Sequence, residues 1–143
     1  MFIAKQGITK KNLDELTYNI IGAAIEVHKE IGPGLLESVY HKCLAREFSL
    51  KGITYMSELK IPLMYKEIKI ESDLRSDFIV EDLVVVELKA VDCLASIHDA
   101  QLLTYMRLLK KPKGILINFN CSNIFKEGQK TLVNELYRLI PDA

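Results

Sequence analysis

The chain has 143 residues, enough for one domain spanning 1–143 with a sizeable core and too few for two comfortable ones. Hydrophobic residues make up 49% of it, which excludes a disordered chain. Nineteen basic residues balance nineteen acidic ones, so no net field gathers nucleic acid from a distance and any such contact needs a local patch or a bound cation.

Residues 1–11 read as an N-terminal arm, whose Lys5, Lys10 and Lys11 are expected to be solvated surface charge. Asn12 followed by Glu15 reads as a capping box that opens a helix. Leu13, Leu16, Ile20, Ala24, Val27 and Ile31 then recur at helical spacing, leaving Glu26, Lys29 and Glu30 toward solvent. Gly32-Pro33-Gly34 ends that helix, because proline cannot continue the hydrogen-bond ladder and glycine tolerates the turn. A second helix follows, with Leu36, Val39, Tyr40, Cys43, Leu44 and Phe48 on one side and Lys51-Gly52 as its stop. The two are expected to form a bent pair.

The rhythm then becomes extended. Residues 58–65 alternate loosely, Lys66-Glu67 reads as a turn before Ile68 and Ile70, and 74–80 form another strand. Residues 83–88 are nearly all apolar and β-branched, as in a strand buried on both faces. Helical spacing returns over 97–109. The strand over 114–119 is reached by a crossover and should lie parallel to its predecessor. Residues 131–139 are expected to close the chain as a helix. The Lys110-Lys111-Pro112-Lys113 cluster is a candidate local patch for nucleic acid.

The segment from Asp77 to Lys89 carries the chemistry. Its apolar strand ends in Glu87 and Lys89, two residues apart and therefore on one face, with Leu88 on the other. Burying such a pair costs several kcal/mol unless partners or a metal compensate, whereas a strand that has run out into solvent carries it freely. Asp77 decides between these readings through the hairpin register. A two-residue turn at Glu81-Asp82 pairs Asp77 with Val86, on the wrong face. A three-residue connection, Glu81 to Leu83, pairs it with Glu87, and a bulge achieves the same shift. One of these odd registers is expected. Magnesium, with manganese as the alternative, takes hard oxygen ligands and keeps several waters. Asp77, Glu87 and the Leu88 carbonyl then suffice as a metal site, with Lys89 oriented to the activated water or the developing charge.

Asp77 followed by Glu87-x-Lys89 resembles the motif of the PD-(D/E)XK nuclease superfamily. Gly34-Leu-Leu-Glu37-Ser-Val-Tyr40 matches the signature of the GxxExxY family, small bacterial proteins of that superfamily, and Gln101-Leu-Leu-Thr-Tyr105 matches the QxxxY element of RecB-like nucleases. The resemblance runs from about residue 19 to about residue 135 and departs at Ser76, which stands where proline is usual. It implies an α/β, restriction-endonuclease-like core, a mixed central β-sheet flanked by helices in αβββαβ order, here with an extra N-terminal helix. It also implies that Asp77 and Glu87 are metal ligands, that Lys89 is the catalytic lysine, that Glu37 assists the metal, and that Gln101 and Tyr105 brace the site or touch DNA. The function implied is metal-dependent hydrolysis of nucleic acid, DNA in preference to RNA. The alternatives are an inactive nucleic-acid-binding module, or a protein-interaction or regulatory subunit on the same fold. A homodimer or protein partner stays open.

Taken alone, Glu37 fits the favoured first turn of a helix, and Gln101 and Tyr105, at i and i+4, fit a structural brace facing the sheet. His98 reads as a surface residue near a helix start, and His28 and His41 as helix-surface or half-buried groups without chemistry. Tyr40 reads as core with its hydroxyl satisfied, and Gly34 as the bend that admits the second helix. Cys43, Cys93 and Cys121 form no C-x-x-C pair, which opposes a disulfide framework or a zinc ribbon. No apolar run is long enough for a signal core or membrane span, so a cytoplasmic protein is expected.

Overall fold

The computed structural model describes residues 7–143, so Lys5 lies outside the described residues. Helix α1 (Lys10–Ile31) opens one turn earlier than its sequence suggests. Its cap is Thr9, whose hydroxyl accepts from the Asn12 amide while the Asn12 carboxamide accepts from the Thr9 amide. Asn12 thus fills the third helical position of the box instead of capping the helix, and Lys10 and Lys11 belong to the helix, not to an arm. Gly32, at φ 67°, ends it as expected. Helix α2 (Glu37–Leu50) buries Tyr40, Leu44 and Phe48.

Seven strands follow: β1 (Tyr55–Lys60), β2 (Met64–Tyr65), β3 (Ile68–Lys69), β4 (Arg75–Val80), β5 (Val84–Lys89), β6 (Lys113–Asn118) and β7 (Gln129–Val133). Helix α3 (Ser96–Leu109) crosses from β5 to β6, and two short helices, α4 (Ile124–Glu127) and α5 (Glu135–Arg138), flank β7. The main sheet runs β1-β4-β5-β6-β7, with β5 and β6 parallel and every other neighbouring pair antiparallel. β2 and β3 form a separate two-stranded ribbon between β1 and β4. This is the mixed sheet flanked by helices of a restriction-endonuclease-like fold.

Each face of the sheet has its own core. Phe78, Val80, Val84, Val86 and Leu88 meet α1 and α2 through Leu13, Ile20, Val27, Tyr40 and Phe48. Ile79, Val85 and Leu116 meet α3 through Leu102, Tyr105 and Met106. The period-2 alternation of β4 and β5 divides their apolar residues between these layers. Gly114 sets how close α3 lies. A Cβ there would sit 2.7 Å from both Leu102 Cδ1 and Met106 Sδ.

The expected helix over 131–139 does not form. Leu132, Leu136 and Ile140 imitate helical spacing, but 129–133 pair with β6, whose outer edge would otherwise be unpaired. Asn134 stops the strand and caps α5, its Oδ1 accepting from the Leu136 amide. The lysine cluster is not a nucleic-acid patch either. Lys113 is buried against Asp14 at 2.9 Å, Lys111 pairs with Asp82 at 2.7 Å, and Lys110 supplies the left-handed C-cap of α3. The cluster also lies at the far end of β6 from Asn118, the partner of Lys89.

The pleat of the β1–β4 pair slips by one residue where the site begins. Ser57 opposes Phe78 of the α1–α2 core, yet Leu59, opposing Ser76, packs with Ile61 and Leu74 into the α3 core. Between them stands Glu58, at φ 53°, in a left-handed conformation that a strand residue rarely adopts. Its position opposite Asp77 makes these two residues the pivot of the roll. An L-residue in that conformation costs about 1–2 kcal/mol. Glu58→Gly is therefore expected to raise stability by about 1 kcal/mol, read as a higher urea midpoint at unchanged slope.

Candidate active site

The β4–β5 connection has three residues, Glu81 to Leu83, and gives Val80↔Val84, Ile79↔Val85 and Phe78↔Val86. This is the odd register that turns Asp77 toward Glu87. No glycine is present, so Glu81 and Asp82 adopt φ 53° and 57° themselves. The Glu81 carboxylate offsets that strain by accepting from the Thr54 amide at 3.0 Å and the Thr54 hydroxyl at 2.8 Å.

Backbone pairing stops at Phe78, one residue short of Asp77. Beyond it the strands part, and carboxylates replace the missing ladder. The Asp77 amide donates to Glu87 Oε2 at 2.8 Å, and the Leu88 amide donates to Asp77 Oδ2 at 2.8 Å. Ser76 Oγ donates to the same Glu87 oxygen at 3.1 Å, a bond that the usual proline, with no hydroxyl, could not make. Each carboxylate thus has one oxygen committed to the fold. A residue's N–H and C=O point to the same edge of a strand, so the Leu88 carbonyl faces the side occupied by Asp77.

Glu87 is 4% exposed. Burial, and then the Asp77 charge beside it, push its carboxyl up to about 8, and burial also raises Asp77. Two hard-oxygen donors held together, their charge only partly offset by Lys89, suit a cation.

Lys89 Nζ donates to Gln101 Oε1 at 3.1 Å, and Gln101 Nε2 donates to Tyr105 Oη at 3.2 Å, so α3 fixes the ammonium through a chain of two hydrogen bonds. Burial raises the Tyr105 phenol, with Glu87 contributing second. The strand end itself is pinned: the Phe119 amide donates to the Lys89 carbonyl, and Asn118 bonds both the amide and the carbonyl of Val91.

Glu37 reaches the site from the other side. A concavity of about 370 Å³ is lined by Glu37, Ser38, His41, Lys42, Glu58 and Asp77. Burial raises Glu37, and Asp77 raises it further. Tyr40 explains the spacing of its motif. Its hydroxyl donates to the Gly32 carbonyl at 2.6 Å and accepts from the Leu35 amide at 3.2 Å, while its ring stacks on Phe119. The loop that presents Glu37 is thereby tied down, with Gly34 at φ 94° inside it. Tyr40→Phe removes both of these bonds from a half-buried loop and is expected to cost about 0.5–1.5 kcal/mol in denaturant unfolding.

The structure therefore brings together Asp77, Glu87 and Leu88 by direct bonds, and Lys89, Gln101 and Tyr105 by a second chain. Glu37 faces Asp77 but does not join Glu87. Among the described residues, no three His, Cys, Asp or Glu side chains gather closely enough to hold a metal ion. Asp77, Glu87 and the Leu88 carbonyl offer hard oxygens, the donor type that suits an ion keeping several waters.

Sequence reasoning missed Glu58 and His41. Glu58 gave no signal, because the pleat slip that brings it beside Asp77 is tertiary. His41 did give one, standing one turn after Glu37 on the same helix face. Its ring stacks on Phe78 at 4.3 Å, and Nε2 lies 3.2 Å from the Asp77 carbonyl and 3.1 Å from Ser57 Oγ. His98 is a cap, its Nδ1 accepting from the Ala95 amide, and His28 bonds the Cys121 carbonyl. A larger concavity of about 490 Å³, between α1 and Phe125, is lined by no carboxylate.

A family model described as the PD-(D/E)XK nuclease superfamily matches residues 14–132. No curated protein and no solved structure matches the chain.

Proposed function

The chain belongs to the PD-(D/E)XK nuclease superfamily, and from that membership we propose that it hydrolyses phosphodiester bonds of nucleic acid, DNA in preference to RNA, with a divalent cation held by Asp77, Glu87 and the Leu88 carbonyl. The observation that carries this reading is the reciprocal bonding of Asp77 and Glu87 to each other's strand, which holds two electron-rich carboxylates side by side in a half-buried setting. Such an arrangement is costly without a cation and well formed with one. Magnesium, or manganese in its place, would polarise the phosphate and make a water a better nucleophile. Lys89 stands beside the carboxylates with its ammonium aimed by Gln101, ready to stabilise charge developing on the phosphate oxygens. Tyr105 locks the Gln101 carboxamide in the orientation that this requires. Glu37 lines the same concavity as Asp77 and would assist a bound cation by accepting a hydrogen bond from one of its waters.

The Gly34, Glu37 and Tyr40 spacing supports assignment to the GxxExxY family within the superfamily. Three free cysteines support a reducing, cytoplasmic setting. Among the described residues no helix is long and apolar enough to cross a membrane.

The test is calorimetric titration of magnesium and manganese into the wild type and Asp77→Ala, followed by incubation with mixed nucleic acids. Binding in the wild type that is lost in Asp77→Ala, with metal-dependent cleavage, is the expected result. A wild type that binds neither ion sinks the hydrolytic reading and leaves an interaction module on a nuclease fold.

A further inference from the structure

Among the residues of β4, Asp77 is the one paired with neither neighbouring strand. The β4–β5 ladder ends at Phe78, and on the other side Ser57 opposes Phe78 and Leu59 opposes Ser76, which skips Asp77. A residue left out of both ladders must satisfy its backbone elsewhere. The Asp77 amide does so through Glu87 on β5. Its carbonyl does so through α2.

The partner there is His41. Its Nε2 lies 3.2 Å from the Asp77 carbonyl and 3.1 Å from Ser57 Oγ. A carbonyl only accepts, so Nε2 carries the hydrogen, and Ser57 Oγ shares it. The ring is held in this pose by Phe78, on which it lies with centroids 4.3 Å apart and planes within 12°. Phe78 is itself fully buried and paired on both sides. Packing alone would call for any flat apolar ring at this position. An N–H set against the Asp77 carbonyl is what packing does not need.

The bond also spans the site. His41 stands one turn after Glu37 on α2, so the contact that fixes Asp77 ties down the helix that carries Glu37. All three residues line the same concavity. Asp77 is then held from two sides, its amide and Oδ2 by β5 and its carbonyl by α2. Among the described residues, Oδ1 is the Asp77 oxygen that no hydrogen bond commits.

We infer that His41 is a positioning residue, whose N–H holds Asp77 at the pivot so that the Asp77 and Glu87 carboxylates keep the reciprocal bonds that set them side by side. That these carboxylates then serve a divalent cation rests on the hydrolytic reading; that His41 positions Asp77 rests on the hydrogen bond and the stack alone.

The test pairs two variants. His41→Phe keeps a ring on Phe78 and removes the N–H, whereas His41→Gln gives up the ring and keeps an N–H at a similar reach. Amide hydrogen exchange in EDTA reads the position of Asp77 with no metal present. The amides of Asp77 and Leu88, which donate to the two carboxylates, are expected to exchange about tenfold faster in His41→Phe. Those of Ile79 and Val85, inside the paired ladder, should keep their wild-type rates. Magnesium affinity, read by calorimetry, should fall about 10–100-fold in the same variant. His41→Gln should regain the slow exchange and most of the affinity. Wild-type exchange at Asp77 and Leu88 in His41→Phe overturns the inference, because the ring then only packs. So does faster exchange that spreads to Ile79 and Val85 in both variants, the mark of a residue that only supports the fold. A wild type that takes up no magnesium, with exchange at Asp77 and Leu88 still accelerated in His41→Phe, removes the cation and leaves the tie.

Discussion

Glu87→Gln is expected to make the metal-free protein more stable at pH 8 than the wild type, by several kcal/mol, and to remove the part of the pH dependence of stability that Glu87 supplies. The Glu87 carboxyl ordinarily titrates at 4.5 and is pushed up to about 8 in the fold, by burial first and the Asp77 charge second. Between those values the folded chain holds a proton that the unfolded chain has released. Stability from this group is therefore fully present below about pH 4.5 and is lost as pH rises through about 8. A tenfold change in the affinity for that proton corresponds to about 1.4 kcal/mol, which sets the scale of the effect. Gln keeps an oxygen to accept from the Asp77 amide and Ser76 hydroxyl, and carries no charge to bury. Urea unfolding at several pH values in EDTA reads the slope directly. Adding magnesium should stabilise the wild type most at high pH, where both carboxylates are ionised, and leave Glu87→Gln nearly unmoved. A wild type that gains stability between pH 5 and pH 8 without metal would overturn this account of the site.

The residues of that site were legible because strand physics makes them conspicuous. Glu87 and Lys89 interrupt an apolar β-branched run, and only a partner or a cation reconciles them with burial. The register could be reduced to two alternatives from sequence, and a three-residue connection is the one that forms. What could not be read was how the pair meets. Asp77 does not sit in a regular ladder opposite Glu87. It lies at the pivot of a pleat slip, where each carboxylate completes the other strand's backbone hydrogen bonding. Local propensity carries no trace of that slip, since Glu58 is an ordinary residue whose left-handed backbone is imposed by the two cores it separates. The closing helix failed for a related reason. Leu132 and Leu136 satisfy a helical period, but the unpaired edge of β6 outweighs a short helix by a whole row of hydrogen bonds. The lysine cluster misled because adjacency in sequence says nothing about pairing. Asp14 and Asp82, which neutralise Lys113 and Lys111, come from distant elements.

Lys89→Met should separate cation binding from turnover. Methionine keeps an unbranched apolar stem of similar length and removes only the ammonium, so the end of β5 stays packed and pinned by Phe119 and Asn118. Lys89 partly offsets the negative charge of Asp77 and Glu87, and its loss leaves the pair more in need of a cation. Magnesium affinity in Lys89→Met is therefore expected to hold or rise slightly. Cleavage should fall by about 10²–10³-fold, the size of losing one preorganised donor to a developing charge. Gln101→Leu is the milder companion. It frees the ammonium from its hydrogen bond and leaves Tyr105 without one, so turnover should fall by about 10–100-fold with magnesium affinity unchanged. Asp77→Ala must do the reverse and lose the cation first. Calorimetry and single-turnover cleavage on the three variants distinguish these patterns. Equal losses of binding and turnover in Lys89→Met would mean that the lysine holds the site together instead of acting on the phosphate.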